Sequence, residues 1–423
     1  MSNTKVNQSL GGYQNIVSKE DMKHLCLLEE TYRFSQQQLS QLGQWMVDCR
    51  TWDEPSFFKD LEESLKIVEE KYSQRTWSQK RDWLFKAFLT DYQQIKNKEK
   101  VYEEQGQKEA FPKYQIGDKE LKGRIFRLCP AASERAVCCN LKVLNIVDNC
   151  AMECSYCVLQ NHYDEPEIKV PTNLKEKLAE VKIDPNKRYR ICTGEYSDSL
   201  LWGNRNNILT DLCDFAARHP NIILELKTKT TNISYFLEND IPENVCCSWS
   251  LNPSVVIQNE EHKTASLEQR FKAARKVADK GIKVGFHIHP MMYFKGWEQA
   301  YTEVITQMIS QFKVEEVLWV SLGIVTLMKG FEHELRKGYR HSKILQMEME
   351  TTPDGKITYA FEVRKKLYQN ALKALGPWKN KVFQYLCMEH NKMWDEIMDV
   401  TYKNMKEFDD VFNEDVFSKL WKA

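Results

Sequence analysis

Leu141-Lys-Val-Leu-Asn-Ile-Val-Asp-Asn-Cys150-Ala-Met-Glu-Cys154-Ser-Tyr-Cys157 runs from an aliphatic, β-branched stretch straight into three cysteines at CxxxCxxC spacing. Three thiolates this close can hold three corners of a [4Fe–4S] cube, a cluster that ordinarily takes four cysteines. The fourth iron then keeps an open coordination position. A zinc knuckle is the competing reading. Zinc wants a fourth Cys or His at ligand spacing, and His162 is the one close candidate. Three core cysteines brought together by chance are the third reading.

Outward from this stretch the sequence alternates between short aliphatic runs and amphipathic ones. Leu141–Val147 predicts a first strand, followed directly by the cysteine loop. Further strands are predicted at Arg188–Thr193, Asn221–Lys227, Cys246–Leu251, Lys283–His289 and Val317–Leu322. Helical patterns fall between them at Asn207–Arg218, Asn232–Glu238, Ser266–Lys280 and Glu298–Phe312. Six β/α repeats imply parallel strands joined by right-handed crossovers. Six are too few to close an eight-fold barrel, so the expected core is a partial (β/α)6 TIM-like barrel over residues 126–330. Chemistry in such barrels lies at the C-terminal ends of the strands, where the cysteine loop falls.

Residues 1–125 read as a helical accessory domain. Glu20–Leu42, Phe57–Tyr72 and Asp82–Tyr102 carry apolar residues three and four apart, and Trp45, Trp52, Trp77 and Trp83 are candidate packing anchors. It carries no catalytic constellation, and a docking or protein-partner role suits it. Residues 331–423 read as an extension: runs at Lys343–Glu350 and Lys356–Glu362 flank Thr-Thr-Pro-Asp-Gly, a hairpin signal, with a helix at Val363–Leu375 beyond.

The 423 residues hold 60 Lys+Arg and 60 Asp+Glu, a balance that is no whole-protein signature of a nucleic-acid binder but permits a local basic face. No apolar signal core or run of 18 uncharged apolar residues occurs, so a cytoplasmic, soluble protein without membrane contact is expected. In that setting thirteen cysteines point to reduced thiols and metal ligation rather than disulfides.

Several blocks beyond the cysteines carry a resemblance. They are Val143-Leu-Asn-Ile-Val147, Cys157-Val-Leu-Gln160, Thr193-Gly-Glu-Tyr-Ser-Asp-Ser-Leu200, Ser248-Trp-Ser-Leu-Asn252, Ser266–Lys276 with its Glu-x-Arg, and Gly285-Phe-His-Ile-His-Pro290. In this order, from about Leu128 to Trp394, they resemble the spore photoproduct lyase family of radical S-adenosylmethionine (SAM) enzymes. The resemblance implies a [4Fe–4S] cluster on Cys150, Cys154 and Cys157, with SAM at the open iron. It also implies a lyase-type DNA-repair reaction started by a 5′-deoxyadenosyl radical, and an external electron donor. Tyr156 resembles the aromatic that lies against SAM's adenine. Gly194 and Glu195 resemble the element that receives the methionyl ammonium. Ser197, Lys229, Ser250 and Asn252 match positions that contact SAM's carboxylate and ribose.

Two positions depart from the family. Aligning Ser197-Asp198 places Glu195 where the lyase has the cysteine that returns a hydrogen atom, and Val158 stands where it has a relay tyrosine. A carboxylic acid cannot replace a thiol as hydrogen-atom donor. Cys192, of opposite parity to Glu195, is expected to face away from the site. The reaction on thymine dimers is therefore in doubt, and the alternatives are a radical SAM enzyme acting on a peptide or small metabolite, or a non-catalytic iron–sulfur partner protein.

Other candidates remain open. Cys129, Cys138 and Cys139 suit packing or a thiol role better than a second cluster, since adjacent cysteines cannot easily reach one cubane; Cys246 is a further thiol candidate. His287 and His289 share one strand face and, with Asp198 and Tyr293, are candidate pocket residues; satisfied core histidines are the plain alternative. Arg336–Lys343 and Arg364–Lys366, interleaved with Tyr339 and Tyr359, are the candidate nucleic-acid contact around the hairpin.

Overall fold

The computed structural model describes residues 2–420 apart from 57, 59–60, 105–110, 162–164, 195–196, 339–340, 399 and 401. Two compact units result: Met1–Tyr102 with Lys329–Met349, and Glu103–Met328 with Glu350–Ala423.

The first unit is helical. Lys19–Tyr32, Gln36–Thr51 and Trp77–Lys96 start at Ser18, Ser35 and Thr76, whose hydroxyls accept from backbone N–H groups three residues on. At Ser35 and Thr76 the third helical residue, Gln38 or Gln79, bonds back to the cap, closing a capping box. Trp45 stacks on Tyr92 at 4.9 Å and on Phe85 at 5.4 Å, and Trp52 on Tyr92 at 6.0 Å, so these two anchors pack as expected. Trp77 does not: it is 44% exposed, with Arg33 and Arg81 over its ring. Helix Phe331–Gly338, from the second stretch of this unit, sends Arg336 to buried Asp48 (Nε–Oδ1 2.5 Å), which also accepts from Tyr92 Oη at 2.7 Å. No helix among the described residues is long and apolar enough to cross a membrane.

In the second unit, eight strands among the described residues form one sheet. They are β1 Phe126–Leu128, β2 Lys142–Leu144, β3 Tyr189–Cys192, β4 Ile222–Thr228, β5 Val245–Leu251, β6 Val284–Met291, β7 Val317–Ile324 and β8 Phe383–Leu386. Their spatial order follows the chain; β1 is antiparallel to β2 and every later neighbour is parallel. The partial barrel thus has one more parallel strand, β8, than the six repeats suggested. Between strands, helices Ile208–Arg218, Leu267–Asp279, Trp297–Gln311 and Phe361–Ala374 cover the outer face, which explains why β4 to β7 read as nearly unbroken apolar runs. The segment after β1 crosses to the far edge, where Val137 N–H donates to Glu389 O at 2.9 Å, just past β8. Phe412, on helix Met405–Leu420, packs on Trp319, Phe383 and Tyr385 at the strands' starting ends.

Residues in parallel register point to one face. Cys192, Glu225 and Cys246 are in register, as are Lys227 and Ser248, and then Ser250, His287 and Ser321. These line the barrel interior. Cys192 therefore faces inward, against expectation. Parity counted back from Glu195 gives the opposite face, but β3 ends at Cys192 and parity does not carry through the loop beyond it.

The hairpin is shorter than its alternation suggested. Strands Met349–Thr351 and Ile357–Tyr359 flank a turn in which Thr352 N–H donates to Lys356 O, while Phe361 already begins a helix.

Candidate active site

The cysteine loop leaves the end of β2 and is held from several sides. Asn149 Oδ1 accepts from Cys150 N–H at 2.7 Å, and its amide reaches Glu165 O and Glu167 O. Cys157 N–H donates to Cys154 O at 2.9 Å, closing a tight turn, and Glu153 takes the left-handed conformation (φ +49°). The firmest restraint comes from the end of helix Ser254–Glu260. Ser155 N–H donates to Glu260 O at 3.0 Å, the Ser155 hydroxyl to the Glu260 carboxylate, and Cys154 forms an antiparallel bridge with Glu261. Tyr156 Oη donates to Glu261 Oε1 at 2.6 Å, which also accepts from Asn252 Nδ2 at 2.9 Å. Arg270 pairs with Glu261 Oε2 at 2.5 Å, both wholly buried, and its other N–H groups reach Ser250 O, Ala265 O and Thr264 Oγ1. Burial opposes the Glu261 charge, but Arg270 and Lys229 overcome it and hold its pKa down at about 2.

The donor set fits an iron–sulfur cluster. Burial pushes up all three thiols, Cys154 to about 12, so in this loop they ionise on a metal rather than in its absence. Lys229 offsets the resulting charge: burial lowers its pKa, but Cys154 and Glu261 carry it above the ordinary lysine value. Its Nζ lies 5.3 Å over the Tyr156 ring. Among the described residues no three His, Cys, Asp or Glu side chains converge on one ion. A cubane instead binds each thiolate to a different iron. His162, the fourth ligand a zinc knuckle would need, lies outside the described residues, as does Glu195.

Gly194 follows β3, where an added Cβ would stand 3.0 Å from Ser199 Oγ. Ser197 Oγ accepts from Trp202 Nε1 at 2.9 Å. Asp198 accepts from Thr228 Oγ1 and from the N–H groups of Leu200 and Lys229, at 2.8–2.9 Å, so its carboxylate joins the strand ends. Tyr293 lies beyond β6, half-buried against Trp297. His287 and His289 do share the interior face. His287 Nε2 is 2.6 Å from Glu225 Oε1, and His289 Nε2 is 2.9 Å from Ser321 Oγ. Burial, then the charge of Lys227, keeps both imidazoles neutral, His287 at about 3. Glu225 also takes two N–H groups of Arg190 and the hydroxyl of Ser248.

Cys138 and Cys139 lie buried in the segment that crosses to β8. The Cys138 hydrogen bond lowers the Cys139 thiol pKa, with Arg190 contributing.

Three of the groups suggested around the hairpin are not free for stacking or phosphate contact. Tyr359 is fully buried, Arg364 pairs with Glu389 and Glu350, and Arg336 is held by Asp48. Tyr339 and Arg340 lie outside the described residues. Sequence reasoning also passed over Glu260, Glu261, Arg270, Lys227, Glu225 and Arg190. A signal existed for one: Arg270 sits on the apolar stripe of its helix with Leu267, Phe271, Ala274 and Val277.

A partial parallel barrel with a three-cysteine loop at the end of its first parallel strand is the architecture of a radical SAM protein. A model of the spore photoproduct lyase family matches residues 85–376, and the chain belongs to that family. Spore photoproduct lyase of Clostridium acetobutylicum is 28% identical over 167 residues, 38% of this chain and 50% of that protein. The Bacillus subtilis enzyme is 26% identical over 164 residues, 38% of this chain and 48% of its own. The chain spans about half the length of these curated relatives. A solved spore photoproduct lyase complexed with dinucleoside spore photoproduct superposes with a TM-score of 0.55 at 21% identity, covering 64% of this chain and 81% of that one. At that identity the likeness speaks for the fold.

Proposed function

We propose that the protein is a radical SAM enzyme that abstracts a hydrogen atom from a nucleic-acid or nucleotide substrate, holding a [4Fe–4S] cluster on Cys150, Cys154 and Cys157. The observation that carries this reading is the Lys229 ammonium beside Cys154 and Cys157 and over Tyr156, at the C-terminal mouth of the barrel. When bound, SAM and the reduced cluster supply a 5′-deoxyadenosyl radical, with the electron coming from an external donor. The chain's own residues bind and shield. Lys229 neutralises, Tyr156 offers its ring, and Glu261 and Arg270 fix both Tyr156 and Asn252. Ser197, Lys229, Ser250 and Asn252 are assigned to SAM's carboxylate and ribose, and the backbone at Gly194 to its methionyl ammonium. Glu195 is assigned to the methionyl ammonium.

That assignment predicts that Glu195→Gln, which keeps shape but loses charge, weakens SAM binding about ten- to hundredfold, the worth of a charged hydrogen bond of about 1.5–3 kcal/mol. Titration calorimetry with the reconstituted protein measures it. Unchanged affinity would return Glu195 to the substrate side.

The function itself is tested by anaerobic incubation with SAM, a reductant and dinucleotide spore photoproduct, reading products by mass spectrometry. 5′-Deoxyadenosine is expected, and its absence ends the proposal. With Glu195 and Val158 at the two departed positions, trapped adducts are expected to exceed intact thymine dinucleotide. Efficient clean repair would mean that another thiol donates; Cys192, facing the interior, is the first to replace.

A further inference from the structure

Among the described residues, the barrel interior holds a cation whose one attracting carboxylate, Glu225, is already bonded to another cation. Lys227 lies on the inward face of β4, two residues before Lys229 and two after Glu225. Among the described residues the other interior charges have partners. Glu225 Oε2 takes both guanidinium bonds from Arg190, and its Oε1 takes Ser248 and His287. Glu261 is paired with Arg270, and Lys229 faces Cys154, Cys157 and Glu261. Asp198 accepts from a hydroxyl and two backbone N–H groups.

No hydrogen bond or ion pair engages the Lys227 side chain among the described residues. The charges that act on it are Glu225, already taken by Arg190, and the like-charged Lys229; the thiols of Cys192 and Cys387, the neutral imidazoles of His287 and His289 and its register partner Ser248 make up the rest of its surroundings. The side chain is half-buried and so reachable from solvent. A partly desolvated ammonium with no acceptor from the protein is stabilised by an anion brought to it.

We propose that Lys227 is a substrate-binding residue that receives an anionic oxygen, a phosphate of the bound nucleotide. The choice of phosphate among anions rests on the nucleic-acid reading above. The neutral His287 and His289 then serve as further hydrogen-bonding groups around that anion, and Glu225 keeps its Arg190 partner.

The test reads Lys227 directly. Anaerobically reconstituted protein is acylated with an amine-directed reagent alone, with inorganic pyrophosphate, with thymidylyl-thymidine, or with its uncharged methylphosphonate analogue. Peptide mass spectrometry quantifies the label on Lys227. Pyrophosphate and the phosphate dinucleotide should each suppress labelling about tenfold or more at saturation, and the methylphosphonate should not. Suppression by pyrophosphate but by neither dinucleotide upholds the anion site and removes the nucleotide reading. Equal suppression by both dinucleotides means a neutral acceptor meets the amine, and overturns the proposal; so does no suppression by any probe. Lys227→Met should lose pyrophosphate affinity about tenfold or more while SAM affinity stays within about twofold. Loss of SAM affinity in that variant would place Lys227 at the cofactor instead.

Discussion

Replacing Cys154 by alanine is expected to abolish SAM cleavage while leaving the barrel folded. Cys154 is the middle cysteine of the loop. Its carbonyl closes the turn to Cys157, and its backbone bridges to Glu261. Those contacts are main-chain and survive the substitution, so circular dichroism and thermal midpoint should stay close to those of the parent. What is lost is one thiolate of three, and among the described residues no other His, Cys, Asp or Glu group gathers to take its place. Ligands held this rigidly are not replaced by residues outside their geometry. Iron and sulfide content, the electron paramagnetic resonance signal of the reduced protein and 5′-deoxyadenosine yield should fall together. A Cys154→Ala protein that cleaves SAM at the parental rate would dismiss the cluster assignment.

The second large effect is on stability. Arg270→Met keeps an unbranched side chain in the cavity but leaves Glu261 buried without its cation. Breaking one side of a buried pair typically costs about 3–5 kcal/mol, and urea denaturation should register a loss of that order. The effect is pH-dependent, with a defined sign. The folded-state pKa of Glu261 is about 2, below the ordinary glutamate value near ~4.3. Its stabilising contribution is complete above that ordinary value and is lost as pH falls toward about 2. The gap between parent and variant should therefore narrow in acid. Adding Glu261→Gln to Arg270→Met removes the stranded charge and should recover part of the loss. A double variant no more stable than Arg270→Met alone would show that the two residues are not coupled.

The readability of this chain divides along a physical line. Local pattern was enough for the strands from Tyr189–Cys192 to Val317–Ile324, because an aliphatic run between amphipathic helices has few other uses. The cysteine spacing is likewise local. β8 was missed because four residues, Phe383-Gln-Tyr-Leu386, carry too little alternation to stand out. Cys192 was assigned to the wrong face because parity was carried back across a loop, and Tyr359 was offered to a ligand although it is buried. Alternation says that two residues share a face, never which face meets solvent. The charges around the loop depend on register between strands far apart in sequence: Arg190 meets Glu225, and Glu225 meets His287. Such encounters leave no mark in a linear pattern. Arg270 left one, as a charge within an apolar stripe.

The pairing of Asp48 with Arg336, 288 residues apart, sets a timetable for synthesis. The first hundred residues emerge from the ribosome with Asp48 bound for an apolar interior and its guanidinium partner not yet translated. At about 5–20 residues per second the wait is roughly a quarter of a minute to a minute. During that interval the early helices can associate through Trp45, Trp52 and Tyr92, yet the unit cannot finish until nearly the whole barrel sequence has been made. Vectorial folding, in which each part matures as it appears, is therefore closed to the amino-terminal unit, which waits on a segment made more than two hundred residues later.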